Sequence, residues 1–283
     1  MNLEHIYLSP HLDDAVYSCG GRIFNQRQSG QAVRVITICA GQADAVWFSP
    51  FAQEYHHLWG DPPDPVGLRL EEDRRALAVW NVAGIYWPTP DSIYRFLNDL
   101  PVYPNQTALF SPPHQQEAHG LLMEWMQRWE ALDLNLHDVR LYAPLAAGRH
   151  VDHVLVNRFA RLLENLGWSV WYYEDFPHAY DRATLDAALA TFGPATRTAH
   201  TERIDLQAKL TAMLVYSSQV SMMFGDADGL KARVRDFTAD RAVAIDFGER
   251  MRWLLAGAGG RRERLWRSIF GYHAFAERYW SIE

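Results

Sequence analysis

Cysteine is scarce in this chain: Cys19 and Cys39 are its two in 283 residues, and no Cys-x-x-Cys occurs. That excludes a disulfide scaffold and a thiolate metal cluster, and two thiols in or beside apolar segments fit buried, reduced cysteines. Surplus positive charge is missing as well. Against 34 acidic residues stand 27 Lys and Arg, a formal net charge of −7, so the chain lacks the footprint that neutralises nucleic-acid phosphates. Its one basic run, Arg261-Arg262-Glu263-Arg264 with Arg267, reads as a solvated helix face. No apolar run approaches the roughly 18 residues a membrane span needs. No basic segment followed by an apolar one opens the chain, so a cytoplasmic protein is expected. Internal repeats and low-complexity tracts are absent, and no Gly-x-Gly-x-x-Gly follows the first apolar run.

Aromatic residues, by contrast, are plentiful, with 11 Trp among them. Core packing is the default for each, and a cleft or an oligomer contact is the alternative; a homo-oligomer stays open. Short apolar, β-branched runs at 5–8, 33–39, 139–144 and 168–173 read as strands, mostly parallel and buried. Helical periodicity is expected over 14–28, 70–82, 115–132, 152–166 and 206–220. Alternation of the two predicts an α/β fold, a Rossmann-like, mostly parallel sheet with helices on both faces. We read 1–283 as a single domain, with an α/β core over 1–200 and a mainly helical extension over 201–283 in which 256–260 is a flexible connector. The stretch 43–68 fits neither period. It reads as a long loop, either a lid or a surface insertion.

The chemistry concentrates in two places. Ser9-Pro10-His11-Leu12-Asp13-Asp14 sets one imidazole and two carboxylates within four positions just past a strand, where ligands collect in open α/β sheets. Two adjacent acids repel each other, and a bound divalent cation is the simplest reason to tolerate them. His150-Val151-Asp152-His153 lies several residues past another strand. It offers a further ligand, or else merely a polar helix start with Asp152 as its cap. Histidine and carboxylate suit Zn²⁺, and a neighbouring acid is left free to move a proton.

With these residues the chain resembles the PIG-L/LmbE-like zinc-dependent de-N-acetylases. Pro10-His11-Leu12-Asp13-Asp14 matches that family's Pro-His-Pro-Asp-Asp, with Leu12 for its second proline, and His150-Val151-Asp152-His153 matches its His-x-Asp-His. Arg69-Leu70-Glu71-Glu72 matches an intervening Arg-x-x-Glu. Tyr172 to Pro177 and Tyr216-Ser217-Ser218-Gln219 look like its C-terminal signatures. The resemblance implies Zn²⁺ held by His11, Asp14 and His153, with Asp13 as general base. It also implies His150 as oxyanion stabiliser or acid, oriented by Asp152. Two departures stand out: Ala15 replaces a frequent acid, and Gly148-Arg149 replaces an aromatic hydroxyl found in some relatives.

The expectation is therefore a zinc-dependent amide hydrolase that removes acetate from an N-acetylated amino sugar or glycoconjugate. Arg69 is a candidate substrate contact, an ion pair being the alternative, and Trp47 and Trp59 are candidates for stacking on a sugar ring. An amidase of thiol conjugates or antibiotic-like glycosides would share the metal site. A non-catalytic nucleotide or sugar-nucleotide binder is the competing class.

Overall fold

The computed structural model describes residues 3–43, 47–194, 196–255 and 275–282. The first half of the chain supplies β1 (Glu4–Ser9), α1 (Asp14–Gln28), β2 (Ala32–Thr37), α2 (Pro50–Leu58), α3 (Pro65–Ala78), β3 (Ala83–Tyr86), the short pair β4 (Phe96–Leu97) and β5 (Leu100–Pro101), α4 (Gln106–Leu109) and α5 (Gln115–Glu130). The second half adds β6 (Val139–Pro144), α6 (Val151–Asn165), β7 (Ser169–Tyr173), α7 (Arg182–Ala190), β8 (Arg197–Arg203), α8 (Leu206–Met213), α9 (Ser217–Phe224), α10 (Ala227–Leu255) and β9 (Ala276–Ile282).

Seven strands form one sheet in the order β3-β2-β1-β6-β7-β9-β8. The first five are parallel, and β9 runs antiparallel to both β7 and β8. The central strands are almost wholly buried, which explains their continuous apolar sequences: helices cover both faces. Trp125 and Trp129 of α5 meet Phe159 of α6 at ring separations of 5.9 and 6.3 Å, so these two tryptophans are core residues. Both cysteines are buried and free. No helix among the described residues is long and apolar enough to cross a membrane.

Two local expectations are corrected. The 43–68 stretch contains a nine-residue helix, α2, because Ser49 Oγ accepts from the Ala52 N–H at 3.1 Å and Pro50 opens the first turn. Phe51, Ala52 and Trp59 then bury themselves against Val66, Ile93, Tyr94 and Leu109 in a second, smaller core. The single helix expected over 206–220 is two helices. Its break lets Tyr216 donate to Asp73 at 2.7 Å, while Glu72 receives the Ser217 hydroxyl at 2.8 Å and the Ser218 N–H at 2.9 Å. A carboxylate from α3 thus caps the N-terminus of α9 from outside. Beyond residue 203 the described chain forms α8, α9 and α10, and also β9, which inserts between β7 and β8. The expected connector at 256–260 and the basic run at 261–267 lie outside the described residues.

Candidate active site

Parallel strands deliver the chemistry to one end of the sheet. His11, Asp13 and Asp14 follow the carboxyl end of β1; His150 and His153 follow β6; Asp175 follows β7. Asp13 occupies the position before α1 with φ 153° and ψ −32°, and its side chain caps nothing. A non-glycine residue held at such a φ is strained by about 1–3 kcal/mol, a cost that surrounding contacts must offset and that clusters at functional sites. The Ser9 hydroxyl stabilises the corner, donating to the His11 carbonyl at 2.7 Å and accepting from the Ala15 N–H at 3.0 Å.

Asp14 sits between two histidines. Its Oδ2 is 3.1 Å from His11 Nδ1 and 3.3 Å from His153 Nε2, and it also accepts from the His11 N–H at 2.9 Å. Ligand atoms about 2.0–2.1 Å from a tetrahedral zinc lie roughly 3.3 Å from one another, so the spacing fits this ion. The two remaining imidazole nitrogens are tied back: His11 Nε2 to Asp152 Oδ2 at 3.0 Å and His153 Nδ1 to Asp175 Oδ1 at 2.7 Å. Carboxylates in that position fix the tautomer and the ring plane of metal-binding histidines. Charge points the same way. Burial works to lower the His11 pKa, yet Asp91, Asp14 and Asp152 outweigh it and hold it well above the ordinary range. Asp13 is pushed up to about 8, first by burial and then by the charge of Asp14. An acidic, half-compensated cluster of this kind is complementary to a cation.

His11, His150 and His153 each bring a ring nitrogen within 4.8 Å of the other two. A second grouping, of His11, Asp91 and Asp152, has the same spread. There the acids already face guanidiniums, Asp91 with Arg69 at 3.3 Å and Asp152 with Arg95 at 2.5 Å, so a second dication has less to offer them. Burial, followed by the charge of His11, keeps the His150 pKa well below its usual value. This neutral ring caps α6, its Nδ1 accepting from the Asp152 N–H at 3.2 Å. Its proton is consequently on Nε2, where it can be donated.

Two sequence expectations about Asp152 change here. It is not the cap of α6, because His150 takes that place. Its carboxylate also turns from His150 to His11, Arg95 and the Ser92 N–H, so the link to His150 is made by the Asp152 backbone. Arg69 lies between Asp91 and Asp13, 3.9 Å from the latter, with its guanidinium 4.8 Å above the Trp59 ring. Trp59 is 7% exposed and supports Arg69 while forming part of the cavity wall. Trp47, 49% exposed and edge-on to Phe96, stands outside that cavity. The cavity itself holds about 220 Å³ beside His11, Asp13 and Asp14, and Tyr55, Phe110 and Met222 furnish apolar wall. Asp91, Arg95 and Asp175 had no role assigned from sequence. Asp175 follows a strand end just as Asp14 does, and that position was the available signal.

A family profile described as PIG-L, GlcNAc-PI de-N-acetylase, matches residues 6–163, more than half of the chain. The protein belongs to this family of de-N-acetylases, hydrolases of amide C–N bonds. Among its relatives, the 2'-N-acetylparomamine deacetylase of Niallia circulans is 27% identical over 188 residues, which span 61% of this chain and 66% of that protein. The 2'-N-acetylparomamine deacetylase of Streptomyces fradiae is 29% identical over 226 residues, 76% of this chain and 72% of that one. The fold is shared with the zinc-inhibited form of teicoplanin deacetylase Orf2, at TM-score 0.74 and 23% identity over 99% of this chain and 98% of that chain. It is shared too with A40926 pseudoaglycone deacetylase Dbv21, at TM-score 0.69 and 22% identity over 100% and 98%.

Proposed function

We propose that the protein is a zinc-dependent N-deacetylase that releases acetate from an N-acetylated amino sugar carried in a glycoside. The observation that supports this reading most is the convergence of His11 Nδ1, Asp14 Oδ2 and His153 Nε2 beside the strained, buried Asp13. The names of the two curated relatives supply the substrate class. Residues 1–283 act as one unit in this proposal, since the sheet that positions the site includes β9.

His11, Asp14 and His153 hold the zinc ion in this scheme. Zinc bound there lowers the pKa of a water towards about 7 and polarises an acetamide carbonyl. Asp13 removes the proton of the attacking water as its oxygen approaches the carbonyl carbon, and that proton passes to the amine nitrogen as the C–N bond breaks and acetate is released. The His150 Nε2–H donates to the carbonyl oxygen as negative charge builds on it. Asp152 and Asp175 hold the His11 and His153 rings in place. Arg69 is the donor for a substrate hydroxyl, and the apolar wall of Tyr55, Trp59 and Phe110 receives the CH face of a sugar ring.

Zinc-loaded protein incubated with a panel of N-acetylated amino sugars and their glycosides should release acetate and free amine in equal amounts, with about one zinc per chain. Release from other amides, with none from any N-acetyl amino sugar, would sink the substrate assignment. Unimpaired turnover in a metal-free preparation would sink the zinc assignment.

A further inference from the structure

At the opposite end of the sheet from His11 is a second cavity, of about 510 Å³, bordered by His5, Arg22, Gln26, Gln31, Arg140 and Glu202. The register of β1 against β6 places His5 beside Arg140 on one face, and α1 brings Arg22 and Gln26 down onto that face from one turn to the next. Arg22 is partly satisfied. It pairs with Glu202 and donates from Nη2 to the Tyr142 hydroxyl at 3.3 Å. Arg140 has no carboxylate within ion-pair distance among the described residues. Both guanidiniums crowd one aromatic ring, 5.0 and 4.5 Å from the centre of Trp171. Each also has a buried Nε–H with no acceptor, and buried donors in native proteins nearly always have a partner, whether protein, water or ion.

We propose that this cavity binds a small oxyanion, a phosphate or carboxylate group, between Arg22 and Arg140. A guanidinium presents its N–H groups as a planar fork that matches such an anion, and two forks with one carboxylate between them leave a net positive charge uncompensated. Glu202 occupies the Nη1 side of Arg22, and Ser29 and Gly30 at the close of α1 border the cavity on another side. The anion therefore lies towards Arg140. Amides of Gln26 and Gln31 add neutral polar wall, and the volume leaves room for a small molecule attached to the anionic group. The positive field is felt by a titratable neighbour of the pair: after burial, Arg22 and Arg140 are the causes that hold His5 down at about 4. None of these residues touches the catalytic cavity, so the ligand is a second molecule and not the amide substrate.

Thermal unfolding of the full zinc-loaded chain, at constant ionic strength, tests this with inorganic phosphate and with sodium acetate in separate titrations. A saturable rise in Tm is expected with one of them, its identity separating the phosphate from the carboxylate source. Arg140→Gln should weaken that binding at least about tenfold, and Arg140→Lys, which keeps the charge but loses the fork, should fall between the two. Basal deacetylase activity should be unchanged in both variants. No saturable response to either anion, an equal response in Arg140→Gln, or an equal response to chloride would each overturn the proposal. Anion binding at the zinc ion itself would persist in Arg140→Gln and so counts against it.

Discussion

Asp152 holds His11: its Oδ2 lies 3.0 Å from His11 Nε2, across 141 residues of sequence, while its other oxygen takes Arg95 at 2.5 Å. The carboxylate holds a proton on Nε2, so Nδ1, the atom facing Asp14, is the nitrogen that would give its lone pair to a metal once its own proton is displaced.

Asp152→Asn should therefore lower zinc affinity by about 10- to 100-fold. The loss is read as earlier metal release in a chelator competition. Because the change also takes from buried Arg95 one of its two carboxylate partners, Glu117 remaining 2.9 Å from its Nε, denaturant melts should show a stability loss of about 1.5–3 kcal/mol. Zinc affinity equal to wild type would mean that Asp152 does not act through His11.

Asp13→Asn should separate metal binding from turnover. Asp13 is a base in the proposed scheme and no ligand, so zinc content should stay at the wild-type level while kcat drops by about 10²- to 10⁴-fold with little change in KM. Retained turnover would remove Asp13 from the proton transfer.

The two tryptophans of the 43–68 stretch should behave differently. Trp59 supports Arg69 and fills the smaller core, so Trp59→Ala should cost about 3–5 kcal/mol of stability and raise KM together. Trp47 is half exposed and outside the cavity, and Trp47→Ala should leave Tm within a degree or so of wild type. A large KM increase in Trp47→Ala with unchanged stability would restore it as a substrate contact.

His5 sets a pH dependence remote from the catalytic cluster. Burial first, and then Arg22 and Arg140, lower its pKa to about 4 in the folded chain, against about 6.5 when unfolded. Between those values the unfolded state binds a proton that the folded state refuses, so stability falls as pH drops from about 6.5 towards 4. His5→Gln removes this component, and its urea-melt stability should decline less over that window than the wild type's. Parallel pH curves for the two proteins would mean that His5 is not the group responsible.

Local sequence made much of this fold legible. Helix α1 begins and ends where Asp14 and Ser29-Gly30 put it, and the parallel strands announce themselves as unbroken apolar runs. What stayed hidden depends on partners distant in the chain. The strand β8, Arg-Thr-Ala-His-Thr-Glu-Arg, is polar because it is an edge strand and half exposed, and its pairing partner β9 lies past residue 275. Aromatic residues on several sides of α2 obscure its helical period, since that helix contacts both the smaller core and the cavity. At the site, His11, Asp14 and His153 stand in recognisable spacings. Asp91, Arg95 and Asp175 do not, because each earns its place through contacts across 22 to 80 residues. The misdirected role of Asp152 has the same origin: adjacency in sequence favoured His150, whereas the helix turn aims the carboxylate at β1.

The position of β9 has a consequence for biosynthesis. Strands β1, β2, β3, β6 and β7 leave the ribosome in time to pair among themselves, but β7 gains its outer neighbour only when residues 276–282 emerge. Glu277, in that late segment, receives Lys209 and the N–H groups of Gly21 and Arg22, so α1 also waits for it. Until those residues arrive, one edge of β7 offers unpaired N–H and C=O groups to any passing strand, so the fold is most open to wrong pairing beside the catalytic cluster.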